Sequence, residues 1–217
     1  MNKWTVIVSG GMLEEAFAKK VLKHPEIEYI VGVDRGLEFL YQENICPDYI
    51  VGDFDSVSPA VLQYYEQEAN VPVRRFNPVK DASDTEIALR LCLKLGKQKI
   101  LLLGATGNRI DHVWANVQIL KIGLDAGADV RILDSHNQIR LLDQGITLSK
   151  QAAYGTYFSV FPLDGCVEQF HIEGAKYPLK DHTLTPYDSL CVSNAFAEAK
   201  VRISFPEGRV ILMETRD

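Results

Sequence analysis

Three short segments of this chain carry side chains that could handle phosphate groups and a metal ion. The first, Gly52–Ser56, follows the apolar run Tyr49–Val51. In extended backbone, residues two positions apart point to the same side, so we expect Asp53 and Asp55 to converge. Two carboxylates held together repel unless a cation lies between them, and Mg²⁺ takes carboxylate, water and phosphate oxygens as ligands. This segment predicts a magnesium site; the alternative is an ordinary turn in which Asp55 or Ser56 caps the next helix.

The second segment runs from Lys80 to Glu86 and precedes a predicted helix. Ser83 and Glu86 form the pattern of a capping box, and acidic residues in a first helical turn complement the helix dipole. That interpretation accounts for Ser83, Asp84 and Glu86 without any function, but it leaves Asp81 beside Lys80 unexplained. If this loop adjoins the first segment, it adds a third carboxylate and a cation suited to phosphate.

The third segment, Gly104–His112, links a predicted strand to a predicted helix. Its glycines allow backbone N–H groups to approach an anion at the helix N-terminus, and Arg109 can bind phosphate through two N–H groups. Asp111 has three interpretations: a helix cap, a ligand for a ribose hydroxyl, or a partner that orients Arg109. An ordinary strand–helix turn remains the alternative for the whole segment. Together the three segments predict a Mg²⁺-dependent enzyme that acts on a nucleotide or phosphoester.

Composition excludes several other classes of protein. The 217 residues carry a formal net charge of −6 with no basic run, which argues against a nucleic-acid partner. No apolar run is long enough to span a membrane, so we expect no membrane partner and a cytoplasmic location. The four cysteines are far apart, which fits neither a zinc module nor a disulfide scaffold. The chain also lacks the P-loop motif and the glycine fingerprint of standard dinucleotide-binding folds.

The elements that must position the three segments change character along the chain. Residues 1–135 alternate short apolar runs with helical patterns, which predicts an α/β domain with a mostly parallel, Rossmann-like sheet. Residues 136–217 show only short strand-like segments and predict an all-β sandwich. One of these predicted strands is Ser189–Ser193. The turn Pro206–Gly208 predicts a hairpin between the last two strands.

Four segments in this order resemble the thiamine pyrophosphokinase family in its bacterial form: Pro47–Ser56, Lys80–Glu86, Gly104–His112 and Ser189–Phe196. The resemblance extends from Val6 to Glu214. It implies a catalytic, nucleotide-binding α/β domain, a thiamine-binding β-sandwich and a homodimer. It also implies transfer of a pyrophosphoryl group from ATP to the hydroxyl of thiamine, with release of AMP.

The same resemblance implies roles for individual residues. The expected Mg²⁺ ligands are Asp53, Asp55 and Asp84. The residues expected around the nucleotide and its phosphates are Lys80, Asp81, Gly104, Thr106, Gly107, Arg109 and Asp111. The residues expected at thiamine are Ser193 and Asn194. Asp53, Asp55, Asp81, Asp84 and Arg109 form the expected catalytic group, and the sequence leaves the proton acceptor open among Asp53, Asp81 and Asp84.

This chain departs from the family pattern at two positions. Ser83 stands where threonine is usual and keeps the hydroxyl cap, and Asn108 stands where glycine is usual. Asparagine tolerates the left-handed backbone region, so the loop can retain its conformation. Two alternatives to the family's reaction are a phosphatase of the haloacid dehalogenase type, with Asp53 as nucleophile, and a nucleotide or thiamine sensor without turnover.

Overall fold

A computed structural model describes residues 3–75, 82–187 and 189–217. The chain divides into two compact units, Met1–Ser135 and His136–Asp217. The first is a mixed α/β unit and the second is antiparallel β. No helix in the described ranges is long and apolar enough to cross a membrane.

Unit 1 has a parallel sheet whose strands are short and, apart from the edge strand β4, largely buried and rich in branched apolar residues. Its strands are β1 (Trp4–Val8), β2 (Ile27–Val33), β3 (Tyr49–Gly52), β4 (Val73–Arg75), β5 (Lys99–Leu103) and β6 (Asp129–Leu133). They lie in the order β6-β5-β1-β2-β3-β4, and every pair is parallel. The chain moves from β1 to β4 in one direction and then returns to β5 on the other side of β1. The topological switch point is therefore between β1 and β5, where ligands bind in open α/β sheets.

The helices of unit 1 connect these strands. They are α1 (Glu15–Leu22), α2 (Gly36–Gln42), α3 (Pro59–Gln63) with a π-helical turn (Tyr64–Glu68), α4 (Asp84–Lys94) and α5 (Ile110–Asp125). Local sequence explains where several of them begin. The Ser58 hydroxyl accepts the N–H of Val61 at the start of α3, and Pro59 occupies the first helical position, where no N–H is needed.

Unit 2 contains two antiparallel sheets. Its strands are β7 (Asn137–Leu142), β8 (Ile146–Ser149), β9 (Tyr157–Pro162), β10 (Val167–Glu173), β11 (Leu179–Leu184), β12 (Asn194–Ala195), β13 (Lys200–Ser204) and β14 (Val210–Thr215). One sheet has the order β12-β9-β14-β7 and the other β11-β10-β13-β8. A shared apolar core includes Phe158 and Leu212 from the first sheet and Phe170 and Ile203 from the second, as in a sandwich.

Two expectations for unit 2 are wrong. The predicted hairpin around Pro206–Gly208 does not form, because β13 and β14 belong to different sheets. Apolar residues on both strands face the same core, so the connection crosses between the layers. The predicted strand Ser189–Ser193 is a turn, and pairing begins only at Asn194.

Candidate functional site

Loops at the carboxyl edge of the unit 1 sheet are tied to one another by hydrogen bonds. The Gly11 N–H donates to the carbonyl of Gly104 at 2.8 Å, and the Met12 N–H donates to the carbonyl of Thr106 at 2.8 Å. The hydroxyls of Ser9 and Thr85 lie 2.9 Å apart and are buried. These contacts join the loops after β1 and β5 to the start of α4.

Glycines are required where the β1 and β5 loops meet. A Cβ on Gly11 would lie 2.3 Å from the carbonyl oxygen of Thr106 and 2.4 Å from that of Gly104. Gly104 also has φ +63°, in the left-handed region that favours glycine. The junction of these two loops, called the glycine crevice below, lies at the switch point between β1 and β5. Sequence reasoning identified the loop after β5 but missed Ser9–Gly11 in the loop after β1. The pair of glycines directly after a strand could have revealed this segment.

A carboxylate that sequence reasoning also missed lies at the end of β2. Burial, followed by the charge and hydrogen bond of Asp84 and the charge of Asp53, raises the pKa of Asp34 from 3.8 to about 7. The only opposing effect is the Phe54 N–H, which donates to Asp34 Oδ1 at 3.4 Å. The structure therefore brings Asp53 and Asp84 to a common neighbour. Asp34 could have been identified from sequence as an aspartate directly after a predicted strand, the one before the strand that precedes Asp53.

The backbone between Asp53 and Asp55 is not extended, contrary to the expectation from sequence. The strand ends at Gly52, and Phe54 is buried with φ +61°, so the backbone turns instead of remaining extended. The Asp55 N–H donates to Asp53 Oδ1 at 3.2 Å. Asp55 itself is exposed and is absent from the groups that act on Asp34. The alternative in which Asp55 or Ser56 caps the next helix is wrong, because Ser58 is the residue that caps α3.

The start of α4 combines the predicted cap with the carboxylate cluster. The Ser83 hydroxyl accepts the N–H of Glu86 at 3.2 Å, as a capping box requires. The Glu86 side chain instead accepts from Arg90 Nε at 2.8 Å, so the reciprocal half of the box is not formed. Asp84 is the first residue of the helix. The predicted site residues Lys80 and Asp81 lie outside the described residues.

The loop after β5 leads into α5. The Thr106 hydroxyl donates to Asp134 Oδ2 at 2.8 Å, and the buried Asn116 side chain donates to the carbonyl of Ala105 at 2.8 Å. Arg109 Nε and Nη2 donate to the two oxygens of Asp111 at 3.2 and 2.5 Å. This hydrogen-bonded pair lowers the pKa of Asp111, and both side chains are exposed. The sequence left three roles for Asp111: a helix cap, a ligand for a ribose hydroxyl and a partner of Arg109. The observed hydrogen bonds match the third role.

In unit 2, Asn194 and Ser193 differ in what they can offer a ligand. Asn194 is 3% exposed, and its Oδ1 accepts the N–H groups of Tyr177 at 3.0 Å and Ala195 at 2.9 Å. Its Nδ2 donates to the Tyr177 carbonyl at 2.7 Å. Ser193 is exposed with φ +55°, and its N–H donates to the Ser159 hydroxyl at 3.0 Å. Asn194 therefore holds Tyr177, a residue that sequence reasoning missed, whereas Ser193 is exposed.

The described residues contain no group of three His, Cys, Asp or Glu side chains already arranged to hold a metal ion. Asp34 nevertheless lies close enough to Asp84 and Asp53 for burial and their charges to raise its pKa. Oxygen donors of this kind suit a hard divalent cation such as Mg²⁺. The chemistry of the donor set fits such an ion, although the ligand geometry is not preformed.

Comparison with known proteins identifies the family. Residues 20–132 match the thiamin pyrophosphokinase catalytic domain. Residues 144–210 match the vitamin B1 binding domain of the same enzyme. The chain belongs to the thiamin pyrophosphokinase family. Members of this family have a catalytic and a vitamin B1 binding domain, which match the α/β and β units of this chain respectively.

Individual relatives agree with the family assignment over nearly the whole chain. The thiamine pyrophosphokinase of Bacillus subtilis (strain 168) is 29% identical over 187 residues, which is 86% of this chain and 87% of the relative. The crystal structure of a Bacillus subtilis thiamine pyrophosphokinase has a TM-score of 0.88, with 27% identity, and the match covers 99% of this chain and 100% of that one. The thiamin pyrophosphokinase of Geobacillus thermodenitrificans has a TM-score of 0.85, with 29% identity and coverage of 99% and 98%.

Proposed function

We propose that this chain transfers the pyrophosphoryl group of ATP to the hydroxyl of thiamine at the carboxyl edge of the unit 1 sheet. The thiamine oxygen forms a bond to the β-phosphorus of ATP. The bond from that phosphorus to the oxygen bridging to the α-phosphate breaks, and AMP leaves with this oxygen. The hydroxyl proton passes to a carboxylate. The observation that carries the proposal is the meeting of Asp34, Asp53 and Asp84 at the same sheet edge as the glycine crevice.

The nucleotide binds in the crevice between the β1 and β5 loops. Gly104, Thr106 and Gly107 contribute backbone N–H groups to the phosphates. Gly104 must be a glycine, since a Cβ there would lie 2.2 Å from the carbonyl oxygen of Ser9. Arg109 binds a phosphate and is held for that purpose by Asp111. An arginine paired in this way remains charged and presents its remaining N–H groups to an oxyanion.

The carboxylate cluster is the proposed metal site. Asp53 and Asp84, with Asp34 in addition to the residues expected from sequence, would hold Mg²⁺, and Asp55 remains a further expected ligand. When bound, Mg²⁺ neutralises charge on the phosphate oxygens and so helps the β-phosphorus accept a nucleophile. The carboxylates themselves orient the hydroxyl and receive its proton. Asp53 and Asp84 are the described candidates for this last step, and Asp81 remains a third.

Thiamine binds beside Ser193 in unit 2. We assign the direct contact to the Ser193 hydroxyl and a positioning role to Asn194, because the Asn194 amide is already bonded to Tyr177 and Ala195. The exposed Tyr177 ring next to them offers an apolar face to an aromatic ligand.

We further propose that the enzyme is a cytoplasmic homodimer. Tyr177, Leu190 and Val192, which are 57%, 57% and 43% exposed, surround the proposed thiamine contacts and form an apolar surface suited to a second copy. The described cysteines are free, as a reducing compartment would allow. Light scattering on the purified protein tests the dimer: a mass of one chain at micromolar concentration would contradict it.

A product assay tests the reaction. Purified protein is incubated with ATP, Mg²⁺ and thiamine, and nucleotides and thiamine species are separated by chromatography. We expect AMP and thiamine diphosphate in equal amounts. Formation of ADP and thiamine monophosphate would indicate a simple kinase, and phosphate release without thiamine would indicate the phosphatase alternative. Thiamine binding without turnover would indicate a sensor.

A further inference from the structure

Arg35 is an arginine that neither the motifs nor the family resemblance singled out. It follows Asp34 at the carboxyl end of β2 and precedes the first residue of α2. Its side chain is exposed, and its Cβ lies 3.0 Å from the position that a Cβ would take on Gly10 in the loop after β1. Arg35 is therefore attached at the sheet edge next to the glycine crevice.

The partners of the arginines in unit 1 set Arg35 apart. Most of the others form ion pairs: Arg75 with Glu66, Arg90 with Glu86, Arg109 with Asp111 and Arg131 with Asp129. Arg74 also has an interaction partner. Within the described part of the chain, the guanidinium of Arg35 forms no hydrogen bond or ion pair, although Asp34 is its neighbour in sequence. An exposed arginine without such a partner retains all of its N–H donors for a ligand.

The strand order places Arg35 on the path of an extended anion. Adjacent strands are about 4.8 Å apart, so the centre of the β1–β5 crevice is about 12 Å from the end of β3, where Asp53 lies. A nucleotide seated in the crevice must pass its phosphates over the end of β2 to reach the carboxylates. Among the described residues directly after β1, β2 and β3, Arg35 is the one cation in a largely acidic group.

We propose that Arg35 binds the β- and γ-phosphates of ATP, the two that form the transferred group, and positions them for attack. This inference rests on the proposed nucleotide site. The guanidinium offers paired N–H donors to two phosphate oxygens and offsets the repulsion between the phosphates and the carboxylates of Asp34 and Asp53. AMP lacks the phosphates that Arg35 contacts, so the residue distinguishes the donor from the released product.

The test compares ATP and AMP binding by equilibrium dialysis without thiamine. Arg35→Ala should weaken ATP binding about 10- to 100-fold, the range for a lost hydrogen bond to a charged group, and change AMP binding less than about twofold. Arg35→Lys, which keeps the charge but not the paired donors, should give an intermediate loss. Lys20→Ala is the matched control, since Lys20 is exposed in the last turn of α1, which runs back towards the opposite sheet edge.

The outcomes separate this proposal from the reaction itself. Unchanged ATP binding by Arg35→Ala, an equal loss for ATP and AMP, or the same loss in Lys20→Ala would each overturn the role of Arg35. The wild-type product assay decides the proposed reaction independently, because the binding comparison requires no turnover. Folding is checked by urea denaturation; if Arg35→Ala were unstable, Arg35→Gln would replace it, and the same three results would apply.

Discussion

The raised pKa of Asp34 makes a quantitative prediction about stability and pH. The folded protein retains a proton on this carboxyl up to about pH 7, whereas the unfolded chain loses it near pH 3.8. Between these values the folded state binds more protons than the unfolded state, so the free energy of unfolding must fall as pH rises through this window. Asp34→Asn keeps the shape of the side chain and removes the titration.

The structure sets the size of the effect. A carboxyl whose pKa rises from 3.8 to about 7 corresponds to about 4 kcal/mol for a fully buried group. Asp34 is only partly buried, and solvent screening reduces this to about 2 kcal/mol. We therefore expect Asp34→Asn to be about 2 kcal/mol more stable than the wild type at pH 8 and similar to it near pH 4. Asparagine also tolerates the φ of +43° at this position.

Urea denaturation in EDTA at several pH values measures the difference directly. Asp55→Asn is the control, because the Asp55 carboxyl is exposed, and its stability should follow the wild-type curve. Parallel curves for the wild type and Asp34→Asn between pH 4 and pH 8 would refute the reasoning. Such a result would mean that Asp34, Asp53 and Asp84 do not form an interacting group.

Further perturbations test other parts of the site. Mg²⁺ should raise the urea midpoint of the wild type at pH 8 but not at pH 4.5, where the raised pKa of Asp34 keeps that carboxyl protonated; equal midpoints with and without Mg²⁺ at pH 8 would argue against a metal site. Asn194→Ala should cost about 2–3 kcal/mol of stability in urea and raise the KM for thiamine, whereas an unchanged stability would contradict its structural role. Gly11→Ala should abolish ATP binding in dialysis, because its Cβ would overlap two carbonyl oxygens of the β5 loop; retained binding would exclude the crevice. Asp111→Asn should weaken ATP binding a few-fold through a less ordered Arg109, and an effect on thiamine binding alone would contradict that assignment.

Much of the fold was predictable because local sequence and global structure agree. Apolar runs such as Tyr49–Val51 are buried on both faces of a parallel sheet, and Ser83 caps a helix as its spacing indicates. The hairpin around Pro206–Gly208 was not predictable in this way. A turn motif specifies a change of chain direction. Which strands then pair depends on how the two sheets pack around their shared core, and that cannot be inferred from the turn alone.

The site was predictable to the extent that its residues lie in local motifs. Asp53 and Asp84 were found in this way, and the structure gives them a common neighbour. Asp34 lacks a local pattern and becomes significant only because β2 lies next to β3. The case of Asn194 shows a different limit. Its position in a motif does not reveal whether its amide faces a ligand or, as here, the backbone of Tyr177.

The position of β1 within its sheet has a consequence for synthesis of the protein. One edge of β1 pairs with β2, which leaves the ribosome soon after it, but the other edge pairs Val8 with Leu103. The nascent chain must therefore expose an unpaired, apolar strand edge for most of the time that unit 1 is being translated, and such edges invite association with other chains. The glycine crevice, which lies between β1 and β5, can form only when this late pairing is complete.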